Sequence, residues 1–343
     1  MIIRSKAPLR LGLAGGGTDV SPYCDMYGGV ILNVTIDMYS YCTIIPTTEN
    51  KIEFISQDLK KTFSCKTTEY IEPVGDLIIH KGVFNKIKTM FCKNKNLSFR
   101  MLTYSDAPAG SGLGSSSTMV VAMLKAYMEW LNLPLGEYDM AKLAYEIERK
   151  DLLLAGGKQD QYAATFGGLN FMEFGANEQV IVNPLRIKKW IKNELENMLV
   201  LYYTGVSRES AKIIKEQITN STKQQNINYK NSMDELKRTA YKMKKAILQG
   251  DFCEVVECLN HGWFAKKNSA TSISNPHIDF LYDFIMKRGG KAAKISGAGG
   301  GGFMMILCNP EDRYNLIRDL KMTQGTVMQV SFTERGAEAW TLY

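Results

Sequence analysis

The chain has 343 residues, of which 45% are hydrophobic and 22% are charged, as is usual for a globular protein. The net charge of +7 is modest and no dense run of Lys and Arg occurs, so we predict no nucleic-acid partner. No apolar stretch is long enough to predict a membrane span, and seven cysteines without a C-x-x-C pair argue against a zinc cage or a disulfide framework. We expect a cytoplasmic protein with reduced thiols and, from its length, two domains, residues 1–190 and 191–343.

Strand and helix signals alternate through the first half. The segment VILNVTIDMYSYCTIIP, residues 30–46, is rich in β-branched and aromatic residues and predicts a strand that stops at Pro46. LSFRML, residues 97–102, predicts another strand. STMVVAMLKAYMEWLNLP, from residue 117, has apolar residues at three- and four-residue spacing and predicts a helix closed by Pro134. EYDMAKLAYEIERKDLLLAGG, residues 137–157, predicts a second helix that ends at its Gly-Gly pair.

The second half begins with a polar, Lys-rich stretch over residues 208–245, which predicts helices with a solvated face. Strand signals return in KAAKIS (291–296), GFMMILC (302–308) and GTVMQVSF (325–332). The sequence therefore predicts strands at both ends of the chain and helices between them.

The segment GSGLGSSST, residues 110–118, leads directly into the first predicted helix. Glycines let a backbone approach an anion closely, and the first amides and the dipole of a helix attract negative charge. A P-loop is excluded because its Lys is missing, and the spacing does not give G-x-G-x-x-G. The segment predicts a phosphate site, while a plain Ser-capped turn stays open.

Two more glycine-rich segments stand near the ends of the chain. KISGAGGGG, residues 294–302, lies between two predicted strands, and its glycines remove side chains where something must approach the backbone. GGGTD, residues 15–19, places a carboxylate beside a glycine turn. Such a carboxylate suits sugar hydroxyls, but an ordinary Asx-turn explains it equally well.

In this order, APLR, DAPAGSGLGSSS and KISGAGGGG resemble the three motifs of the GHMP small-molecule kinases. LRLGLAGGGTDVSPY, GGKQDQYAATFGGLNFMEF and LVLYYTGVSRES resemble the branch that contains D-glycero-D-manno-heptose 7-phosphate kinases and fucokinase domains. The resemblance implies an α+β fold of two domains. The N-terminal domain would be of the ribosomal S5 domain 2 type and the C-terminal domain ferredoxin-like, with the nucleotide and the acceptor meeting between them.

The resemblance also implies ATP and Mg²⁺ as cofactors and assigns residues to them. The nucleotide phosphates would be bound by Pro108, Gly110, Ser111, Gly112, Leu113, Gly114, Ser115, Ser116 and Ser117. Ser116 and Glu148 would hold Mg²⁺, which takes hard oxygen ligands. Asp160 would be the base or the orienting group for the acceptor hydroxyl, and Arg10 would neutralise the charge that develops during transfer.

The remaining assignments concern the acceptor. Gly16, Gly17, Thr18 and Asp19 would bind sugar hydroxyls, and Gly297 and Gly299 would close over the site. A phosphate on the sugar would require a second cation, for which Arg208 is the first candidate and Lys158 the second. Tyr39 and Tyr41 could pack against the adenine base of the nucleotide or belong to the core side of a strand.

The resemblance thus predicts an ATP-dependent kinase that phosphorylates the anomeric hydroxyl of D-glycero-D-manno-heptose 7-phosphate and supplies nucleotide-activated heptose for surface polysaccharide. One alternative is a kinase for another sugar, such as L-fucose. Another is a catalytically dead sensor of sugar and ATP, because kinase folds are reused for regulation. The expected partners are small molecules alone, and a homodimer is left open.

Overall fold

The computed structural model describes residues 1–205, 210–222 and 227–343. Its strands are β1 (Ile2–Ala14), β2 (Gly29–Pro46), β3 (Lys51–Ser56), β4 (Lys61–Lys66), β5 (Phe99–Ser105), β6 (Leu169–Phe174), β7 (Val180–Pro184), β8 (Leu199–Tyr203), β9 (Gly290–Ile295), β10 (Phe303–Cys308), β11 (Thr326–Met328) and β12 (Glu338–Leu342). Its helices are α1 (Tyr23–Tyr27), α2 (Ile78–Phe91), α3 (Ser115–Leu131), α4 (Glu137–Glu146), α5 (Gln159–Phe166), α6 (Lys189–Met198), α7 (Ser210–Thr222), α8 (Ile227–Gln249), α9 (Phe252–Lys267), α10 (Pro276–Met286) and α11 (Pro310–Leu320). This mixture confirms the predicted α+β class.

The larger sheet of the described chain has eight strands in the order β12-β1-β2-β5-β3-β4, with β6 paired to β2 and β7 paired to β6. Its pairs are antiparallel except for β3 and β5. The long strand β2 is its centre: residues 29–34 pair with β6 and residues 40–46 with β5, while β1 runs along the other edge. β2 covers the predicted strand and ends at Pro46 as expected.

The smaller sheet of the described chain has the order β11-β8-β10-β9, with antiparallel pairs throughout. The segment KISGAGGGG connects β9 to β10, which confirms its predicted place between two strands. The chain passes from the larger to the smaller sheet between Pro184 and Leu199, and β12 later returns to β1. The division at residue 190 stays a prediction.

Helix α3 confirms the first predicted helix and shows why its sequence is apolar on several sides. It follows Gly114, whose φ is +78°, and stops at Asn132, a left-handed residue two positions before Pro134. The helix packs against both β1 and β2 and also contacts α2, α4 and α5. Burial on these sides holds the segment after Gly114 in one fixed place.

The second predicted helix ends earlier than expected. α4 stops at Glu146 and is followed by a π-helical turn over Ile147–Asp151, in which the amide of Leu152 donates to the carbonyl of Ile147 at 3.0 Å. Leu153 then adopts a positive φ of 54°. The prediction of one helix to the Gly-Gly pair at 156–157 was wrong because periodicity does not detect a widened turn, a feature frequently found at functional sites.

The Lys-rich stretch forms helices in its described part, but α8 is not a wholly solvated element. Met233, Leu236, Ala240, Met243 and Ile247 are buried at helical spacing, and α8 packs against β1 and β2. Of GTVMQVSF only Thr326–Met328 forms a strand. None of the described helices combines the length and the apolar character that crossing a bilayer requires.

Candidate active site

A cavity of 530 Å³ opens where β1, the start of α3, the start of α5 and the β9–β10 connection meet. Its described lining residues are Arg10, Gly17, Asp19, Val20, Ala109, Gly110, Gly112, Gly114, Ser115, Ser116, Ser117, Glu148, Arg149, Leu154, Ala155, Gly156, Gly157, Gln159, Asp160, Ile214, Gln217, Lys266, Gly297 and Ala298. All three glycine-rich segments therefore share one cavity.

Arg10 links these segments directly. Its Nε and Nη2 both lie 2.7 Å from Oδ1 of Asp160, and its Nη1 donates to the carbonyl of Gly112 at 2.7 Å and to Oγ of Ser296 at 3.4 Å. The Arg10 side chain is 4% exposed, whereas Asp160 is 22% exposed. Arg10 and Asp160, which the resemblance assigned to the same reaction, are paired, and the carboxylate keeps access to the cavity.

The phosphate segment forms a loop closed against the third glycine segment. Gly110, Gly112 and Gly114 have φ values of 74°, 85° and 78°, a region that favours glycine. A Cβ on Gly112 would lie 2.4 Å from the carbonyl oxygen of Ser296. No side chain caps α3 at Gly114, so the first helical turn presents amides and a dipole suited to an anion.

The predicted phosphate residues divide into cavity and supporting positions. Leu113 is buried in the core and its carbonyl accepts from the amide of Arg10 at 3.2 Å. The carbonyl of Ser111 accepts from the amide of Phe303 at 2.9 Å, and that of Pro108 accepts from the amide of Ser111 at 3.2 Å. These three residues, Pro108, Ser111 and Leu113, are absent from the wall of the cavity and support the loop from behind.

The hydroxyl and carboxylate oxygens predicted for Mg²⁺ face the same cavity. Ser116 is exposed, while Ser115 and Ser117 are buried. Nε2 of Gln161 donates to Oγ of Ser117 at 3.1 Å and also to the carboxylate of Glu148. Glu148 is 1% exposed and lies on the π-helical turn, so the departure from the predicted helix is what brings this carboxylate to the wall.

The first glycine segment also reaches the cavity, through Asp19. The backbone amides of Lys158 and Gln159 donate to Oδ2 of Asp19 at 2.9 and 3.0 Å. Burial raises the pKa of the Asp19 carboxyl above its ordinary value, and the hydrogen bond from Gln159 opposes this. A Cβ on Gly157 would lie 2.0 Å from Asp19, so the Gly-Gly pair makes room for this carboxylate.

The other residues of this segment that were predicted to bind the acceptor bring no charged side chain to the cavity. Thr18 is buried, and its hydroxyl donates to the carbonyls of Gly15 and Val30, each at 2.8 Å. Gly17 lines the cavity, and Gly16 lies beside Lys266. Of the predicted acceptor residues in this segment, Asp19 brings a charged side chain to the wall.

The two predicted glycines of the third segment differ in position. Gly297 lines the cavity, and a Cβ on it would lie 2.6 Å from the carbonyl oxygen of Gly112. Gly299, with φ of 113°, is absent from the wall and packs against the backbone of Ile273. Gly297 therefore belongs to the cavity and Gly299 to the support of its loop.

Lys158, one of the two cations predicted for a distal phosphate, is absent from the described cavity wall. Nζ of Lys158 pairs with Oδ1 of Asp25 at 3.0 Å, and the Lys158 side chain is 3% exposed. This pairing turns its ammonium away from the role predicted for it. Arg208 lies outside the described residues.

Sequence reasoning missed Arg149, Gln217 and Lys266, which also line the cavity. Lys266 follows the buried positions Leu259 and Trp263 of α9 at helical spacing. A lysine on an otherwise apolar stripe was the signal that could have found it. Arg149 depends on the π-helical turn, which the sequence did not show.

A second cavity of 160 Å³ lies beside the first and shares Ala109, Ser115 and Ser116 with it. Its remaining lining residues are Ser56, Asp58, Leu59, Leu77, Ile78, Ile79, His80, Ser105, Ala107 and Met119. Tyr39 and Tyr41 line neither cavity, and Tyr41 stacks on Tyr104 instead.

Comparison with known proteins gives two domain models that match the chain. Residues 79–168 match the model for the N-terminal domain of GHMP kinases, and residues 243–323 match the model for their C-terminal domain. The chain is 48% identical over 340 residues to D-glycero-alpha-D-manno-heptose 7-phosphate kinase of Campylobacter jejuni, covering 99% of both chains. It is 27% identical to the mevalonate kinase of Methanocaldococcus jannaschii, over 86% of this chain and 90% of that one.

Solved structures of other proteins also superpose on this chain. A D-glycero-D-manno-heptose 1-phosphate kinase from Bacteroides thetaiotaomicron superposes with a TM-score of 0.85 at 45% identity, covering 99% of both chains. Lactococcus lactis galactokinase complexed with galactose, at 16% identity, shares the fold with a TM-score of 0.76, over 98% of this chain and 95% of that one. The family that the three motifs predicted for this chain is thus confirmed. The chain belongs to the GHMP kinases, has their two-domain α+β fold and is a phosphotransferase.

Proposed function

We propose that the protein transfers the γ-phosphoryl group of ATP to the anomeric hydroxyl of D-glycero-D-manno-heptose 7-phosphate and forms the 1,7-bisphosphate. The observation that carries this proposal is Arg10, which bonds to Asp160 and to the carbonyl of Gly112 in one cavity. Phosphoryl transfer needs an acceptor group and a phosphate loop held in register, and little covalent chemistry from the protein. Two relatives, both named as heptose phosphate kinases, support the choice of sugar.

The nucleotide phosphates fit the loop from Gly110 to Ser117, where the glycine backbone and the start of α3 favour an anion. The base fits the adjoining 160 Å³ cavity, whose wall includes Leu77, Ile79 and Met119. Apolar walls suit a purine ring. Since the two cavities share Ser115 and Ser116, one molecule of ATP can occupy both.

The donor set near Glu148 suits Mg²⁺. Glu148 offers a buried carboxylate, and Ser116 and Ser117 offer hydroxyl oxygens on the same wall. In the described residues no cluster of three His, Cys, Asp or Glu side chains exists, which fits an ion bound by one or two protein oxygens and by phosphate. When bound, Mg²⁺ would neutralise charge on the phosphates.

Asp160 is proposed to orient the acceptor hydroxyl and to take its proton. Both bonds from Arg10 reach Oδ1, and Oδ2 lies beside Gly114, 3.2 Å from where a Cβ there would stand. Oδ2 thus faces the phosphate loop. Arg10 keeps the carboxylate in place and adds positive charge where negative charge develops.

Asp19 and Gly17 are proposed to bind the sugar, because both line the wall on the side of the first glycine segment. Arg208 stays the proposed partner of the 7-phosphate. Lys158 is not retained, since its ammonium already pairs with Asp25. The product would be a precursor for nucleotide-activated heptose in surface polysaccharide, in a cytoplasmic location.

A kinase for another sugar, such as L-fucose, is the second candidate, because the bifunctional fucokinase/GDP-fucose pyrophosphorylase of Arabidopsis thaliana is 26% identical over 91% of this chain and 30% of that one. A dead sensor of sugar and ATP is disfavoured. Asp160, Arg10, Glu148 and the serine hydroxyls converge on one cavity, an arrangement that binding alone does not require.

The deciding experiment measures ADP release with heptose 7-phosphate, heptose, L-fucose, mannose and mevalonate, each with ATP and Mg²⁺. Phosphorus NMR of the product then locates the new phosphate. We expect the highest kcat/KM with heptose 7-phosphate and a new signal from C1. Activity with mevalonate alone would overturn the sugar assignment, and an Asp160→Asn variant with normal turnover would overturn the role of that carboxylate.

A further inference from the structure

Lys266 lies at the junction of the first and third glycine segments. Its ammonium donates to the carbonyl of Gly297, and a Cβ on Gly16 would lie 3.4 Å from its Nζ. The residue is 3% exposed and lines the 530 Å³ cavity. Apart from Arg10 and Arg149, no other described Lys or Arg lines this wall.

Four charged groups act on this ammonium. Arg10 and Lys294 add positive charge from β1 and β9, and Asp19 and Asp160 add negative charge from the first glycine turn and from α5. Burial lowers the pKa of Lys266 to about 8, assisted by Arg10 and opposed by both carboxylates. An anion in the cavity would favour the charged form.

Lys294 does not compete for this role. Its Nζ donates to the carbonyls of Gly12 and Leu13 at 2.8 and 3.2 Å, and it does not line the cavity. Lys266 instead shares the wall with Arg10 and Asp160, the pair that meets the acceptor hydroxyl in the proposed function. The 7-phosphate stands at the far end of the sugar from that hydroxyl, so a cation that interacts electrostatically with both Arg10 and Asp160 is placed for the reacting end.

We propose that Lys266 is a catalytic residue whose ammonium contacts the phosphoryl group during its transfer. This rests on the proposed function. The acceptor oxygen forms a bond to the γ-phosphorus as the bond from that phosphorus to the β-bridging oxygen breaks. ADP leaves with the electron pair, and the hydroxyl proton passes to Asp160. Lys266 donates a hydrogen bond to a non-bridging oxygen and, together with Arg10, stabilises the negative charge that develops there.

The test compares Lys266→Met and Lys266→Arg with Lys267→Met as the matched control. Lys267 is the next residue, but its ammonium pairs with Asp279 at 3.7 Å and does not line the cavity. For Lys266→Met we expect kcat to fall about 10²-fold to 10³-fold, as on loss of a donor to developing charge, with KM for sugar little changed. Lys266→Arg should recover part of the loss, and Lys267→Met should match the wild type.

Two further readouts separate catalysis from folding and from sugar binding. The kcat/KM of the wild type, which reports the free enzyme, should fall as pH rises above about 8, because the ammonium loses its proton, and this limb should disappear in Lys266→Arg. The slow hydrolysis of ATP by water, measured without sugar, should fall in Lys266→Met as well. Thermal melting checks that each variant folds; if Lys266→Met does not, the pH profile of Lys266→Arg decides.

Unchanged kcat in Lys266→Met would overturn the proposal. So would a rise in KM confined to heptose 7-phosphate, with phosphate-free heptose unaffected, because the ammonium would then bind the phosphate of the sugar. An unchanged basic limb in Lys266→Arg would also overturn it. If the wild type phosphorylates none of the sugars, the proposed function fails by itself, and the hydrolysis of ATP in Lys266→Met still reports on contact with the γ-phosphoryl group.

Discussion

Replacing Arg10 by Met tests whether one side chain holds the site together. The change removes two bonds to Asp160 of 2.7 Å each, the bond to the carbonyl of Gly112 and the longer one to Ser296. Breaking a fully buried ion pair costs about 3–5 kcal/mol because the remaining charge is uncompensated. Since Asp160 is 22% exposed and can regain water, we expect the lower end, about 3 kcal/mol.

The matched control is Lys6→Met on the same strand. Lys6 pairs with Glu338 at 3.4 Å, and both side chains are about one-third exposed, so its loss should cost less than about 1 kcal/mol. Urea unfolding followed by tryptophan fluorescence and circular dichroism gives both free energies of unfolding. Activity of Arg10→Met should fall by about 10³-fold or more. Equal losses in the free energy of unfolding for Arg10→Met and Lys6→Met, or normal turnover by Arg10→Met, would refute the role of Arg10.

Three further changes test other parts of the site. Gly112→Ala should abolish ATP binding, measured by calorimetry, because φ of 85° is strained for Ala and its Cβ would meet Ser296; Gly136→Ala, with an extended backbone and no close contact, should bind normally. Glu148→Gln should raise the Mg²⁺ concentration needed for half-maximal activity, and an unchanged Mg²⁺ curve would contradict its assignment. For Asp19→Asn we expect weaker sugar binding, and stability relative to the wild type should rise with pH above the ordinary aspartate range. A carboxyl whose pKa is raised on folding stabilises the folded state while it is protonated and loses that contribution when it ionises. If the difference in free energy of unfolding between Asp19→Asn and the wild type, measured by urea unfolding, did not change with pH, the raised pKa of Asp19 would be contradicted.

The sequence predicted those elements whose pattern is local. β2 and α3 followed from β-branched density and helical spacing, and both ended where proline or a left-handed residue stops them. The π-helical turn at Ile147–Asp151 could not be predicted, since an i to i+5 bond leaves no period in the sequence. Its consequence was that Glu148 came from the family resemblance alone, and Arg149 was missed.

Side-chain partners were the least predictable part of the site. Lys158 looked like a free cation, yet its ammonium pairs with Asp25, far away in the chain. Lys266 carried no motif, although its position on a buried stripe of α9 was visible. The pairing of Arg10 with Asp160 joins two residues that the family resemblance had assigned to the same reaction. The bonds from Arg10 to Gly112 and Ser296 depend on how distant segments pack, which composition and spacing do not encode.

A side chain on Gly297 would need the volume of the Gly112 backbone, and a side chain on Gly112 would need the volume of the Ser296 carbonyl. We therefore expect the loop from Gly110 to Ser117 to take its final shape only when the β9–β10 connection docks against it. Bound ATP should therefore stabilise the contact between the loop and the β9–β10 connection, so that both segments become more resistant to proteolysis when ATP is present. For the same reason, we expect that the loop sequence grafted alone onto another protein would not keep its backbone conformation.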